Sequence, residues 1–539
     1  MGMNSKHNAF DAIIVGAGFA GMYMLHKLRG MGLNARVIEA GAGVGGTWYW
    51  NRYPGARVDI ESRDYGYSFD PELEREWRWS ERYAAQPELL RYLNHVADRY
   101  DLRRDIEFET RVTAATFDEA SASWTVTTDR GEEYRARFCI MATGCLSEPK
   151  PIDFPGSEEF KGASYSTFNY PEGGVDFSDR RVAIIGTGSS AIQTITTIAP
   201  QCAHLTVFQR TPNYSVPAHN HPLSDEEQAV WDTTRDEYRA RAKSQPLAFW
   251  NDPNEALAVE TSAEERAAEM ERRWRGGGFP IGGPYADIGV DLAANKLIAD
   301  WMADKIAAIV HDPVAADKLT PKTYPFGTKR LCVDTGYYQV YNRDNVTLVD
   351  ISETPIERIT ATGVRTSAAD FPCDAIIYAL GFDAMTGTLA KIAITGRGGI
   401  TLADKWVHGP VTNLGLMVAG FPNFFTITGP GSPSVLTNMV MSIEQHVDWI
   451  AEAIAHLQDR QLATIETTEE AEAAWVAHVA EVADTTLYPL ANSWYMGANV
   501  PGKPRVFLPY LGGFDAYVEA CDTAVAAGYE GFALRPLAA

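Results

Sequence analysis

Cysteine is scarce in this chain, and its placement excludes several kinds of site. Six cysteines occur among the 539 residues, at positions 139, 145, 202, 332, 373 and 521, and no two of them form a Cys-x-x-Cys pair. The spacing of a zinc site or of a disulfide framework is therefore absent, and we expect buried, reduced thiols. His219 and His221 lie in a loop-like segment without a third ligand, so we predict no metal site.

Positive charge and long apolar runs are also in short supply. The chain has 47 Lys and Arg against 70 Asp and Glu residues, a formal net charge of −23. An acidic surface repels nucleic acid and anionic lipid, so we predict neither partner, and no feature indicates an obligatory protein partner. No apolar run reaches the roughly 18 residues that a membrane helix needs. The start MGMNSKHNAF lacks the apolar core of a signal peptide, which favours a cytoplasmic protein.

A glycine-rich turn between a strand and a helix is the first strong pattern. Residues 12–15 form an apolar run suited to a buried parallel strand, and Gly16, Gly18 and Gly21 follow it. The next strand-like run ends at Glu39, near the spacing expected of an acid that accepts hydrogen bonds from a ribose. This unit predicts a dinucleotide site with a pyrophosphate at the helix N-terminus.

The same pattern recurs about 170 residues later with one difference. An apolar strand leads into Gly186, Gly188 and Ala191, and the strand after the helix ends at Arg210 instead of an acid. A carboxylate would repel a 2′-phosphate, whereas a guanidinium binds it with two directed donors. Lys329 would add charge there. The two unlike sites predict FAD in the first and NADPH in the second, with hydride transfer from nicotinamide to flavin.

The order of these patterns predicts an α/β fold with two Rossmann-like dinucleotide-binding domains. We expect a discontinuous FAD-binding domain formed by residues 1–145 and 384–539. Residues 146–383 would form the NADP-binding domain. A charged, helix-rich stretch at about 222–312 predicts a helical insertion in that second domain.

A long motif after the first unit resembles the signature of one enzyme family. Residues 45–59 have the sequence GGTWYWNRYPGARVD and match, at every fixed position, a motif of type I Baeyer–Villiger monooxygenases. The resemblance continues in YPFGTKR at 324–330, SIEQHVDWI at 442–450 and SWYMGANVPGKPR at 493–505. It spans essentially the whole chain and is strongest to the phenylacetone and steroid monooxygenase branch, with cyclohexanone monooxygenases a step further away.

The resemblance implies an enzyme that uses FAD, NADPH and O₂ to convert small apolar ketones to esters or lactones. In that family, a flavin peroxide attacks the ketone carbonyl, and one carbon then migrates to oxygen. Sulfoxidation of thioethers is a possible accompanying activity. An apolar ketone and O₂ are therefore the expected partners of the protein.

The resemblance also implies site residues. Arg330 matches the family's catalytic arginine and Asp59 its partner acid, and a fixed cation beside a carboxylate suits a reaction that develops negative charge. The matches at FAD, besides the glycines and Glu39, are Thr47, Trp48, Asp59, Tyr65, Val112 and Met439. Those at NADP are Gly186, Thr187, Gly188, Ser189, Ser190, Gln193, Arg210, Thr211, Lys329, Arg330 and Trp494. Those at the ketone pocket are Pro433, Ser434, Val435 and Leu436.

One segment departs from the family's pattern. The family's fingerprint has a histidine and a tryptophan where this chain has Ser166 and Tyr170, although Phe160 and Gly162 are intact. In the family, this segment links the two nucleotide domains. The departure therefore bears on rate and on the coupling of NADPH oxidation to oxygen transfer more than on fold or cofactors.

Four alternatives follow from these patterns. Tyr170 is typical of related N- and S-oxygenating enzymes and favours a heteroatom oxygenase, but the intact motif at 45–59 argues against one. Ser166 suggests an uncoupled NADPH oxidase. A disulfide reductase would need a cysteine pair after the first unit, where Thr47 and Trp48 stand instead. A non-catalytic nucleotide-binding module would have lost the catalytic pair, which is present.

Overall fold

A computed structural model describes residues 8–536. Residues 1–7, on which the predicted absence of a signal peptide largely rests, and residues 537–539 lie outside this range. Within it, no helix combines the length and the apolar character needed to cross a membrane. All six cysteines are buried and free, as expected.

The strands are, in chain order, β1 (Ala9–Val15), β2 (Ala35–Ile38), β3 (Ile106–Glu107), β4 (Val112–Asp118), β5 (Ser123–Thr128), β6 (Glu133–Met141), β7 (Ala163–Ser166), β8 (Arg181–Ile185), β9 (His204–Gln209), β10 (Ser215–Pro217), β11 (Cys332–Asp334), β12 (Val346–Asp350), β13 (Ile356–Thr360), β14 (Gly363–Thr366), β15 (Asp370–Pro372), β16 (Ala375–Tyr378), β17 (Ala393–Thr395), β18 (Phe424–Thr426), β19 (Thr464–Thr467) and β20 (Phe532–Arg535).

The α-helices are α1 (Phe19–Gly30), α2 (Thr47–Trp50), α3 (Pro71–Glu76), α4 (Gln86–Arg99), α5 (Ser189–Ile198), α6 (Asp225–Lys243), α7 (Ala263–Gly276), α8 (Leu292–Ile309), α9 (Pro313–Leu319), α10 (Tyr337–Val340), α11 (Gly387–Ala390), α12 (Leu402–Lys405), α13 (Met439–Asp459), α14 (Glu469–Asp484) and α15 (Phe514–Ala526). Short 3₁₀ helices lie at Ser62–Tyr65, Arg103–Asp105, Ser157–Glu159, Phe279–Gly282, Arg397–Gly399, Ser434–Leu436, Tyr488–Leu490 and Trp494–Met496.

The larger sheet has the order β17-β4-β5-β6-β1-β2-β3, and β18 pairs with β6. Its central strands β6, β1 and β2 are parallel, and the inner half of β1 is fully buried because helices cover both faces of such sheets. On one face α1 packs against α13, where the Tyr23 hydroxyl donates to Asp448 at 2.8 Å. Strands from before and after the second sheet in the chain therefore complete one sheet around the first glycine turn.

The second sheet has the order β12-β9-β8-β16-β7 and is parallel throughout. Strand β8 leads into the second glycine turn, and α5 follows it. Two sheets of this kind, each with a strand–turn–helix unit, confirm the predicted α/β fold with two Rossmann-like domains. The domain boundaries at 145/146 and 383/384 stay a prediction.

The stretch at about 222–312 contains the helices α6, α7 and α8 and no strand. It leaves the second domain after β10 and returns before β11, and these two short strands pair in parallel. The return path places residues 324–330 beside the motif at 45–59. Helix α6 also contacts the FAD side, because the Arg239 guanidinium donates to the Glu74 carboxylate at 2.8 and 3.0 Å.

Candidate active site and cofactor sites

The first glycine turn is packed so closely that side chains are excluded. Gly16 has φ +104°, and a Cβ there would lie 2.6 Å from the carbonyl oxygen of Ala142. A Cβ on Gly21 would overlap the carbonyl oxygen of Gly16. At Gly18 the nearest atom to a Cβ is 3.4 Å away, on Gly46. The backbone of the turn is therefore tight within the protein and open at Gly18, which fits the close approach of a pyrophosphate.

Glu39 lies directly beyond β2 beside this turn and is buried. Its carboxylate accepts hydrogen bonds from the backbone N–H groups of Ala17 and Gly41, both at 2.6 Å. Burial raises the pKa of Glu39, although these two bonds oppose the shift. The carboxylate is thus held in one orientation next to the turn, with lone pairs left to accept from a ribose.

Four of the predicted flavin residues lie in two places, near α2 and near Glu39. Trp48 contacts Tyr65 edge to face, with ring centroids 5.7 Å apart, and Thr47 precedes Trp48 in α2. The Trp48 indole Nε1 is buried and has no hydrogen-bond partner among residues 8–536. Val112 begins β4 close to Glu39, because the N–H of Thr110 donates to the Glu39 carbonyl at 2.9 Å.

Asp59 and Arg330 form a two-point ion pair. Arg330 Nε donates to Asp59 Oδ2 at 2.6 Å and Nη2 donates to Oδ1 at 2.8 Å. Nη1 donates to the carbonyl oxygen of Val435 at 2.9 Å. The structure therefore brings the predicted catalytic pair together and joins it to the predicted ketone loop.

The surroundings of Arg330 keep its guanidinium charged and oriented. Burial alone lowers the pKa of Arg330, but the attraction of Asp59 more than offsets this, so the pKa lies above its ordinary value. The Phe279 ring centroid lies 4.7 Å from the guanidinium carbon, a cation–π distance. Phe279 belongs to the helical insertion and was not predicted, because nothing near it in the sequence points to this arginine.

An apolar cluster lies beside the ion pair. Ser434–Leu436 is a short 3₁₀ helix preceded by Pro433, and Val435 is buried. The cluster includes Met439, the first residue of α13, which was predicted at the flavin. Its other members are Cys145, Leu146, Ala384, Met385, Leu436, Tyr488, Trp494, Tyr495, Val506, Phe507 and Leu508. Three of the four predicted pocket residues are thus at one place with Arg330. Val435 and Leu436 belong to the cluster, and the Ser434 hydroxyl lies 3.9 and 4.0 Å from the sulfur atoms of Met385 and Met439 in it.

The second glycine turn has the same design. Gly186 has φ +117°, and a Cβ there would overlap the carbonyl oxygen of Ala379, whereas nothing lies within 4 Å of a Cβ on Gly188. The Thr187 hydroxyl donates to the Thr211 carbonyl at 3.1 Å, which ties the turn to the end of β9. A tight base with open space at the second glycine fits a second pyrophosphate.

Helix α5 carries Ser189, Ser190 and Gln193, and the long motif packs against it. The Tyr53 hydroxyl donates to Gln193 Oε1 at 2.9 Å, and Gln193 Nε2 donates to the Arg57 carbonyl at 3.2 Å. The Ser189 hydroxyl lies 3.4 Å from Cys332 Sγ. The structure thus shows Gln193 as a contact between the two halves of the molecule; its contact with NADP stays a prediction.

Three cations meet at the end of β9. Arg210 is exposed, and burial together with the repulsion of Arg210 lowers the pKa of Lys329 to about 8. The Lys329 ammonium lies 4.4 Å from the ring centroid of Tyr324. Burial and Arg210 likewise lower the pKa of Lys150, a residue that was not predicted. Mutual repulsion without compensating acids fits the predicted 2′-phosphate site.

Trp494 begins a short 3₁₀ helix in the segment 493–505 and is half-buried against Tyr495, with ring centroids 4.3 Å apart. Two bonds hold this segment to the inter-domain connection. Lys503 Nζ lies 2.6 Å from Asp383 Oδ1, and Asn499 Nδ2 donates to the Phe382 carbonyl at 2.9 Å. Trp494 is therefore part of the apolar cluster, and its segment is tied to residues 382 and 383.

The segment that differs from the family's fingerprint, residues 160–170, contacts the FAD side through a residue that was not predicted. The hydroxyl of Ser166, at the end of β7, accepts from the Phe168 N–H at 3.2 Å. The Phe168 ring stacks on Trp50, with ring centroids 5.6 Å apart, and contacts Phe382 edge to face, with ring centroids 6.0 Å apart. Tyr170 is buried against Tyr165, away from the apolar cluster. An aromatic ring two residues after Ser166 thus links the two domains.

Comparisons with known proteins agree with this geometry. A family model described as pyridine nucleotide-disulphide oxidoreductase matches residues 13–240, which include both glycine turns. A Baeyer–Villiger monooxygenase from Pseudooceanicola batsensis is 45% identical over 524 residues, covering 96% of this chain and 95% of the relative.

Solved structures give the same result. The chain is 51% identical to oxidized steroid monooxygenase bound to NADP, with a TM-score of 0.94 over 98% of this chain and 99% of that one. It is 40% identical to OTEMO in complex with FAD and NADP, with a TM-score of 0.95 over 97% and 99%. The chain therefore belongs to the Baeyer–Villiger monooxygenases, and FAD and NADPH, as predicted from its two unlike turns, are its cofactors.

Proposed function

We propose that the protein oxidises small apolar ketones to esters or lactones at the Arg330–Asp59 pair. The observation that carries the proposal is this two-point ion pair, joined through Val435 to an apolar cluster. FAD and NADPH, when bound, supply the hydride and the activation of O₂. The protein's own residues fix the charge, the cofactors and the ketone around that chemistry.

Arg330 is proposed as the group that stabilises negative charge on oxygen during the reaction. A guanidinium has five N–H donors, and three are used by Asp59 and Val435. Donor capacity therefore remains for an oxygen atom of the reacting groups. Because Asp59 holds the guanidinium in place before the reaction, little reorganisation is needed when charge develops.

The cofactor assignments follow the two turns. Gly16, Gly18, Gly21 and Glu39 would hold the pyrophosphate and ribose of FAD. The remaining FAD residues are Thr47, Trp48, Asp59, Tyr65, Val112 and Met439. The second turn and α5 would hold the NADP pyrophosphate, Arg210, Thr211 and Lys329 its 2′-phosphate, and Trp494 would cover the bound molecule.

The ketone pocket is proposed at Pro433, Ser434, Val435 and Leu436. The cluster around them offers apolar and aromatic surface and few polar groups, which suits an apolar ketone. Its distance from Arg330 is short, since the Val435 carbonyl accepts from that guanidinium. A cytoplasmic location is part of the proposal; it rests on composition, and cell fractionation would test it.

A heteroatom oxygenase is the weaker alternative. The residue that suggested it, Tyr170, packs in the core of the second sheet with Tyr165 and Phe177, and does not line the cluster beside Arg330. An uncoupled oxidase rested on Ser166, but Phe168 provides an inter-domain contact there. The intact pair and apolar pocket support ketone oxidation.

The ratio of ester formed to NADPH consumed tests the function. Purified, FAD-loaded protein would be given phenylacetone, cyclohexanone, a long linear ketone and a thioether in separate reactions. We expect a ratio near one with at least one ketone. Hydrogen peroxide as the sole product with every ketone would favour the oxidase, and sulfoxide without any ester would favour the heteroatom oxygenase.

A further inference from the structure

Lys150 is a half-buried cation at the edge of the second sheet. Its backbone N–H donates to the carbonyl of Gly381 at 3.0 Å, three residues beyond the end of β16. Strands β16, β8 and β9 are parallel neighbours, so their carboxyl ends meet at one edge. Lys150 therefore lies at the edge that also carries the Gly186 turn.

Arg210 lies at the same edge, directly beyond β9. Only β8 separates β9 from β16, so the two strand ends are about 10 Å apart at the usual strand spacing. Both side chains are long and flexible enough to reach one anion between them. Lys329 joins them because Tyr324, the ring beneath its ammonium, donates to the Pro212 carbonyl at 3.0 Å.

The nearby carboxylates are committed to other lysines. Glu148 lies 3.7 Å from Lys391 Nζ, and Asp383 lies 2.6 Å from Lys503 Nζ. The ammonium of Lys150 makes one hydrogen bond among residues 8–536, to the carbonyl oxygen of Asn499 at the long distance of 3.5 Å. Among residues 8–536, none of these three cations forms a salt bridge with an acid, although the chain has a net charge of −23. This arrangement indicates a place for an anion.

We propose that Lys150 is a third cationic ligand of the 2′-phosphate of NADP(H), beside Arg210 and Lys329. The inference rests on the proposed roles of those two residues and adds one that their motifs do not contain. NAD(H) lacks the 2′-phosphate, so Lys150 contributes to the choice between the two coenzymes. Because Lys150 also touches Asn499, phosphate binding is connected to the segment that carries Trp494.

Binding measurements separate this role from catalysis. The FAD-loaded protein would be titrated calorimetrically with NADP⁺, NAD⁺, adenosine 2′,5′-bisphosphate and adenosine 5′-monophosphate. Lys150→Met removes the charge and keeps an unbranched side chain, and Lys150→Arg keeps the charge. Lys161→Met is the matched control. Lys161 is an exposed lysine just before β7, so it lies at the amino ends of the strands, away from the carboxyl ends that carry Lys150 and Arg210.

We expect Lys150→Met to weaken the binding of NADP⁺ and of adenosine 2′,5′-bisphosphate about tenfold, which is the usual contribution of one charge-assisted hydrogen bond. NAD⁺ and adenosine 5′-monophosphate should change less than about twofold, Lys150→Arg should retain most of the affinity, and Lys161→Met should behave like the parent. Unchanged NADP⁺ binding would overturn the proposal, and so would an equal loss for NADP⁺ and NAD⁺. If Arg210→Gln also leaves NADP⁺ binding unchanged, the location of the 2′-phosphate site itself is wrong.

Discussion

Arg330 and Asp59 make a two-point ion pair although 271 residues separate them in the chain. The acid lies at the end of the motif at 45–59, and the arginine lies just before β11, after the helical insertion. After the insertion the chain returns through residues 324–330, and the parallel pairing of β11 with β10 fixes the strand that begins two residues after Arg330. The predicted catalytic pair is therefore a product of how the insertion is accommodated.

Replacing Arg330 with Ala should leave FAD bound and remove ester formation. Loss of one preorganised donor to a developing oxyanion typically lowers kcat by about 10² to 10³, and Arg330→Ala removes the charge as well. Flavin absorbance would report FAD content, and gas chromatography would report ester. Arg330→Lys keeps a charge without the two-point geometry and should restore little activity. Full ester formation by Arg330→Ala would contradict the proposed role of Arg330 in stabilising negative charge on oxygen.

Asp59→Asn tests orientation separately from charge. The amide keeps the size of the side chain but loses the ionic attraction that raises the pKa of Arg330. The guanidinium stays protonated, because an arginine side chain is effectively always protonated in water. We expect turnover per bound FAD to fall about ten- to a hundredfold, the worth of a hydrogen bond to a charged group. Turnover equal to the parent would show that Asp59 does not position Arg330.

Ser166 and Phe168 test the altered fingerprint. Phe168→Leu removes the stacking on Trp50 and should lower the ester formed per NADPH, with more hydrogen peroxide. Phe168→Tyr keeps the ring and should retain the parental ratio. Ser166→His should raise the ratio if serine impairs coupling. A parental ratio in Phe168→Leu, at unchanged melting temperature, would show that the inter-domain contact is carried elsewhere.

The lowered pKa of Lys329 leads us to expect that NADP⁺ binding depends on pH. With a pKa lowered to about 8 by burial and by Arg210, Lys329 is mostly protonated at pH 7 and mostly neutral at pH 9. A neutral amine attracts the 2′-phosphate less, so the affinity for NADP⁺ should fall several-fold, up to about tenfold, between those pH values. Lys329→Met should bind more weakly at pH 7 and lose most of this dependence. An equal pH dependence for NAD⁺ would contradict the assignment.

Gly21→Ala should prevent FAD binding. A Cβ at Gly21 would overlap the carbonyl oxygen of Gly16, so the turn and α1 must move apart. The matched control is Gly30→Ala in the same helix, where nothing lies within 4 Å of an added Cβ. We expect purified Gly21→Ala to carry little flavin and Gly30→Ala to carry a full complement. Full flavin content in Gly21→Ala would contradict the close-packed turn.

The sequence by itself determined the two dinucleotide units. The contact that requires Gly21 lies within its own strand–turn–helix unit, because a Cβ there would overlap the carbonyl oxygen of Gly16. The contacts at Gly16 and Gly186 come from the ends of neighbouring strands, at Ala142 and Ala379, but the glycine spacing that signals each turn is local. Glu39 and Arg210, each at the end of the strand that follows its turn, distinguish the FAD site from the NADP site at the same position in the local pattern. The long motif at 45–59 then indicated the family, which the comparisons confirmed.

Only the tertiary structure decided which distant side chains meet. Phe279 reaches Arg330 because the helical insertion folds back onto the FAD side, and Phe168 stacks on Trp50 across the domain boundary. Lys150 joins Arg210 because strand order puts β16 two places from β9. No local propensity encodes these meetings, because each depends on the packing of elements far apart in the chain.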